Sequence, residues 1–198
     1  MSEHDHDHEH EDDEHEPTEA EARAEAERLV RKEVALAQIR QYGDPVLRMR
    51  AADVESFDDE LARITGRMTE LMHDADGIGL AATQIGILRR FLVCTLEGED
   101  RVLVNPRVTP VGEETEVDDE GCLSLGSIRV PVERATRVTV EARDAAGEPV
   151  ALELEGMDAR VVQHEVDHLD GVLLLDRTDV ESRRDALAQL RPRLVLTS

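Results

Sequence analysis

Two histidines four residues apart, with a glutamate directly after the first, make His164-Glu165-Val166-Asp167-His168 the stretch of this sequence best equipped for chemistry. On a helix, residues at that spacing lie on one face, one turn apart. Two imidazoles so placed can hold one metal ion, and the carboxylate between them can reach a water on that ion. The metal would lower the pKa of the water toward neutrality, and Glu165 would take its proton. A catalytic metal site wants three protein ligands and one open position. The longer metalloprotease pattern would add a glycine and a third histidine. Gly171 fits, but Leu174 stands where the histidine should be. Glu181 is a further carboxylate downstream, in a charged stretch. Cys122, in Glu120-Gly121-Cys122-Leu123-Ser124, is the better third ligand, with Gly121 expected to let the backbone approach closely. The other cysteine, Cys94, sits in an apolar strand pattern and reads as a small buried hydrophobe.

A third segment, Gly77-Ile78-Gly79-Leu80-Ala81-Ala82-Thr83-Gln84-Ile85-Gly86, opens like a dinucleotide-binding fingerprint. That fingerprint needs a strand before it and a helix after. Here a helical pattern comes before it, so the cofactor reading is set aside. The glycines instead shape a backbone segment that lines a cleft and presents Gln84 as a hydrogen-bond donor.

Taken together and in this order, Gly77 to Gln84, Glu120 to Ser124 and Gln163 to His168 resemble the peptide deformylase family, with its GxGxAAxQ, EGCLS and QHExDH segments. The similarity extends to Asp44-Pro45-Val46-Leu47-Arg48, Phe57-Asp58, Arg90 and Leu169-Asp170-Gly171, and spans about residues 38–176. Two positions depart from it: Thr83 and Gly126 stand where proline is common. The resemblance implies removal of the formyl group from the N-terminal formylmethionine of newly made polypeptides, with release of formate. It implies that Cys122, His164 and His168 bind one divalent metal, Fe²⁺ first, with Zn²⁺, Ni²⁺ or Co²⁺ fitting as well. It makes Glu165 the general base, and Gln84 and the backbone N–H of Leu123 the donors to the developing oxyanion. Ile78 and Gly79 would line the path of the substrate chain, and Arg129 would steer its far end. Gln163 and Arg160 flank the metal helix and read as its support. Two competing classes stay in view. A metallopeptidase would share the two-histidine helix but leaves Cys122 and Gln84 unexplained. A noncatalytic metal carrier has no need of Glu165.

The elements that must position these residues read as an α+β domain. Leu61, Ile64, Met68, Leu71 and Met72 recur at helical spacing behind Asp58 and Asp59, and form a core-facing stripe. Phe91 to Leu96, Arg101 to Val108, Thr136 to Ala142 and Pro149 to Leu154 read as short antiparallel or mixed strands, divided by Gly, Pro and acid-rich turns. They would pack around the metal-binding helix, which follows Gly156 and ends near Gly171. A last helix, Val180 to Leu190, precedes Pro192.

Outside residues 38–176 the composition changes. Residues 1–17 are low-complexity Asp/Glu/His with five of the eight histidines, and are expected to be a disordered tail: a solvating segment, or a weak metal chelator. Residues 18–37 are an Ala/Glu/Arg-rich helix, expected to run to about Ile39 and to pack loosely. Nothing in residues 1–37 matches the family, so their removal is expected to leave turnover on a short peptide nearly unchanged. Residues 177–198 form a basic end in which Arg183, Arg184, Arg191 and Arg193 face the single acid Asp185 after residue 182. The same resemblance implies transient ribosome docking through this C-terminal helix, since Arg suits phosphate. A solvated helix face is the plainer reading of those charges.

Overall, 23 Lys and Arg against 46 Asp and Glu give a formal net charge of −23. Such a surface repels DNA and anionic membranes over most of its area. No signal segment opens the sequence and no apolar run reaches membrane-spanning length, so a cytoplasmic monomer is expected. Two cysteines are too few for a disulfide scaffold.

Overall fold

The computed structural model describes residues 18–190; the acidic tail, together with Arg191 and Arg193, lies outside them. Helix α1 (Glu19–Leu36) starts at a capping box, in which the Thr18 hydroxyl accepts from Glu21 N–H and the Glu21 carboxylate accepts from Thr18 N–H. It stops at Leu36, three residues short of Ile39, because Gln38 and Ile39 close tighter i→i+3 bonds onto Ala35 and Leu36. Helix α2 (Asp59–Asp74) is capped by the Asp58 carboxylate and buries Leu61, Thr65, Met68, Leu71 and Met72. The expected stripe is therefore core, with Ile64 partly buried against it.

Among the described residues seven strands follow in chain order: β1 (Gly79–Ala81), β2 (Phe91–Leu96), β3 (Glu99–Pro110), β4 (Thr115–Gly121), β5 (Arg129–Ala135), β6 (Arg137–Arg143) and β7 (Pro149–Glu155). Five of them build one antiparallel sheet in the order β1-β2-β3-β6-β7, while β4 and β5 pair as a separate ribbon. Helices α3 (Gly156–Leu169), α4 (Leu174–Arg177) and α5 (Val180–Leu190) complete the chain.

The sheet lies between α2 and α3. Along β2, Phe91 and Val93 pack toward α2, whereas Leu92, Cys94 and Leu96 pack with Ala159, Val162 and Leu169 of α3. Burial on both faces explains why Phe91 to Cys94 read as an apolar run rather than an alternation. A third apolar cluster joins β5 to α4 and α5 through Val130, Val132, Leu174, Leu175 and Ala186. Among the described residues no helix is long and apolar enough to cross a membrane.

Three strands, β1, β4 and β5, lie where the sequence pattern predicts none. The β4 segment Thr-Glu-Val-Asp-Asp-Glu-Gly looks like an acidic turn because only Glu120 of it is buried. In β5 the inward positions are Val130, Val132 and Arg134, so a buried cation masks the alternation.

Candidate metal centre

Helix α3 turns His164 and His168 toward Glu120 and Cys122 at the end of the β4–β5 ribbon, and sets Glu165 against Gly79 of β1. Cys122 follows β4 directly. One donor atom from each of Cys122, His164 and His168 lies within 4.8 Å of the others, and Cys122 Sγ is 3.2 Å from His168 Nε2. Cys122, not Glu181, is therefore the residue brought to the two imidazoles; Glu181 lies exposed in the first turn of α5. Burial alone would raise the Cys122 thiol, but the adjacent His168 and His164 rings more than offset it and hold Cys122 well below the ordinary thiol range. Cys94, buried in the sheet, is pushed the opposite way by desolvation.

The donor set suits a divalent cation. A thiol that its neighbours hold toward thiolate joins two imidazoles, while the buried Glu165 Oε2 has no hydrogen-bond partner among the described residues and lines the same cavity. Burial raises the Glu165 carboxyl above its usual range, against the opposing pull of the His164 and His168 rings. A carboxyl shifted in that direction is better matched to moving a proton near neutrality.

A buried charge network fixes this arrangement, and little of it shows in the sequence pattern. His164 Nδ1 lies 2.9 Å from Glu120 Oε2, which turns Nε2 toward the site. Arg134 donates to both Glu120 oxygens, at 2.9 and 3.0 Å, and reaches Asp167 at 2.5 Å. Arg160 donates to Glu120 at 2.8 Å, and Arg177 donates twice to Asp167. Glu120 is held down to about 2: desolvation raises it, but His164 and Arg134 outweigh that. Arg160 thus supports the site as expected. Gln163 ties the same helix to β5, bonding both N–H and C=O of Ala135. An arginine at an inward strand position is the available signal for Arg134, because such a cation needs a buried carboxylate.

The Gly77–Gly86 segment forms β1 and a 3-10 turn, Ala82–Ile85, instead of a strand followed by a long helix. Gln84 Oε1 accepts from Ala81 N–H, leaving Nε2 to donate to Ser124 Oγ at 3.2 Å, with Cys122 Sγ 3.7 Å away. Thr83, at a position where proline is common, donates to the His168 carbonyl at 3.1 Å and so ties this turn to α3. Gly126, the other departure, has φ +64°, a backbone that proline cannot adopt. The close approach expected at Gly121 is found at Gly79, where a Cβ would sit 2.8 Å from Glu165 Cγ and Cδ. At Gly121 it would meet nothing nearer than Arg129 Nη1 at 3.4 Å.

One cavity of about 700 Å³ gathers these residues: Ile78, Gly79, Gln84, Cys122, Leu123, Arg129, His164 and Glu165 all line it, and His168 sits against Cys122. Arg129 donates to the Asp119 carbonyl at 2.7 Å on that wall. The cavity is also lined by Lys32 and Leu36 of α1, and Ala35 lies in the core. The end of this helix thus reaches the cleft at Lys32 and Leu36, while Leu29, Val30 and Val34 stay exposed.

Fold and site together define a metal-dependent hydrolase with one thiol and two imidazoles around its centre. A family model, polypeptide deformylase, matches residues 36–184. A peptide deformylase from Thermotoga sp. is 48% identical over 146 residues, covering 74% of this chain and 89% of that relative. One from Acidothermus cellulolyticus is 46% identical over 158 residues, covering 80% and 87%. The crystal structure of a peptide deformylase from Synechococcus elongatus in complex with actinonin superposes with a TM-score of 0.73 at 41% identity, covering 76% of this chain and 84% of that one. The chain belongs to the peptide deformylase family.

Proposed function

We propose that this deformylase, which hydrolyses the formyl group from the N-terminal methionine of new polypeptides, works through Glu165 as general base beside a metal held by Cys122, His164 and His168. The observation that carries the reading is the placement of Glu165: buried, its carboxyl raised, against Gly79 and next to the three donors. When bound, a divalent cation supplies Lewis acidity, lowering the pKa of water and polarising a carbonyl oxygen. Glu165 accepts a proton from the water that adds to the formyl carbon. Gln84 Nε2 and the Leu123 N–H donate to the oxygen on which negative charge develops. As the C–N bond breaks, Glu165 hands its proton to the departing amine, and formate and a free N-terminus leave. Ile78 and Gly79 line the substrate chain, and Arg129 meets its far end.

Fe²⁺ is the metal we assign first, because a soft thiolate with two imidazoles accommodates it; Zn²⁺, Ni²⁺ and Co²⁺ suit the same donors. Catalysis resides in residues 38–176, with the chain acting as a cytoplasmic monomer on nascent peptides. The basic end, through Arg183, Arg184, Arg191 and Arg193, makes transient, salt-sensitive contact with the ribosome. Arg183 lies 3.8 Å from Asp176 and Arg184 3.3 Å from Asp185, both at the surface, so neither is locked into a buried pair.

The deciding experiment measures formate release from a formyl-methionyl peptide beside cleavage of its unformylated form, with anaerobic metal analysis. Formate release alone supports the reading, and peptide-bond cleavage or inert metal binding replaces it. Cosedimentation with ribosomes, comparing the four-arginine-to-alanine variant with the parent chain, tests docking separately.

A further inference from the structure

Strand β1 is an edge of the main sheet, and the cavity beside it reaches residues packed on both faces of that sheet. On the α3 face it is lined by Met157 and Val161, of which Val161 belongs to the apolar core there. On the α2 face it is lined by Leu36 of α1, Ala75 and Leu123, all three packed with the other core. Ile78, directly before β1, lies at the edge itself and is half exposed. Leu36 is firmly placed. The chain leaving α1 is bonded to the loops that carry Gln84 and Cys122: Arg40 N–H donates to the Gln84 carbonyl at 2.7 Å, and Tyr42 N–H to the Ser124 carbonyl at 2.8 Å. Gln41 Nε2 donates to the Leu123 carbonyl at 3.2 Å. Ala35 beside it is buried, whereas Leu36 is only half-buried and keeps apolar surface for the cavity. Leu29, Val30 and Val34 are more exposed, but none of them lines it.

We propose that Leu36 is a specificity-determining residue, forming with Ala75, Ile78 and Leu123 a subsite for an apolar side chain directly after the formylmethionine. The inference rests on the deformylase reading, in which the substrate chain passes Ile78 and Gly79. An extended chain points successive side chains to opposite sides. Val161 stands three residues before His164 on α3, so it lies on the same helix face and closest to the metal donors. The methionine side chain, attached next to the cleaved amide, falls on that α3 wall. The following side chain then falls on the other face of the sheet, against Leu36. Helix α1 lies almost wholly ahead of residue 36, where the family match begins, so the preference is supplied by an element outside the shared domain. The contact is remote from the reacting atoms, and its effect falls on KM.

The test compares the metal-loaded full chain with Leu36→Ala, Leu36→Met and Val34→Ala on two formyl-methionyl tripeptides, one with leucine and one with alanine after the methionine. The parent chain is expected to favour the leucyl peptide in kcat/KM, with the difference lying in KM. Leu36→Ala should reduce that preference about 3–10-fold, the scale of one or two methylenes returned to water. Leu36→Met, of similar volume, should keep most of it. Val34→Ala, exposed on the same helix but away from the cavity, should keep all of it. Equal use of the two peptides by the parent chain overturns the proposal, whether or not any variant folds. An unchanged preference in Leu36→Ala whose melting curve matches the parent overturns it too, as does an equal fall in Val34→Ala or a loss of kcat shared by both peptides. No formate release from the parent chain overturns the underlying reading as well, and is distinguishable for that reason.

Discussion

The carboxylate of Glu165 fills the space that any side chain on Gly79 would need, with its Cγ and Cδ both 2.8 Å from where a Cβ would stand. Strand β1 and helix α3 therefore meet at hydrogen in place of carbon, and Glu165, the proposed general base, owes its position to that contact. Gly79→Ala should push Glu165 aside without touching a metal donor. A displacement of about 1 Å at a reacting group can cost on the order of 10²-fold in rate. We expect that loss in kcat with full metal content, and normal turnover would show that Glu165 does not depend on Gly79.

Glu165→Gln keeps the shape of the side chain but cannot take a proton. The expected result is retained metal and a fall in activity of about 10²–10⁴-fold. Steady-state formate release beside metal analysis checks both halves. A variant that works at the parent rate refutes the assigned role.

Cys122→Ser replaces a soft donor with a hard, weak one, so it should lower metal affinity or change which metal is retained. Cys94→Ser should leave metal and activity in place, because Cys94 is buried in the sheet on the α3 side and its thiol is pushed up by burial. Thiol alkylation of the folded protein should likewise spare Cys94 and label it only after unfolding. Loss of metal from the Cys94 variant would reverse the ligand assignment.

Arg134→Met breaks the link between Glu120 on β4 and Asp167 on α3. Removing one member of a buried ionic set leaves the others uncompensated, at a cost of roughly 3–5 kcal/mol. Because His164 leans on Glu120, metal affinity should also fall by about 10–100-fold. Denaturant unfolding and competitive metal titration measure the two effects. A stable variant with unaltered affinity would mean that the network is ornamental to the site.

Most of this site is legible in the amino-acid sequence, because its chemistry is concentrated in short motifs: the i, i+4 histidines, the cysteine after Glu120, the glycines before Gln84. Local periodicity likewise exposes α2, α3 and α5 and the four strands that bury apolar runs. What the sequence hides has a common physical cause. Glu120, Arg134 and Asp167 are polar residues whose burial is stabilised only by one another, across separations of 14 and 33 residues. Short-range pattern carries no trace of such pairing, and it makes β4 look like a turn. The part played by α1 is hidden for a related reason. Beyond Ala35 and Leu36, its contacts to the body include two ion pairs to Asp76, 44 and 48 residues away, and no broad apolar stripe.

The β4–β5 ribbon stands apart from the main sheet, and two strands alone are marginally stable in water. It grips the body through Val130 and Val132 against α4 and α5, and through the charged cluster at Arg134 and Glu120. It also delivers Cys122, the one donor that does not come from α3. Opening of the ribbon would therefore withdraw one of the three donors. Native-state hydrogen exchange should find its amides opening at lower free energy than those of β2 and β3, with added metal slowing them selectively. With that result, loading and loss of the ion would be local events of one hairpin, occurring while the rest of the molecule stays folded.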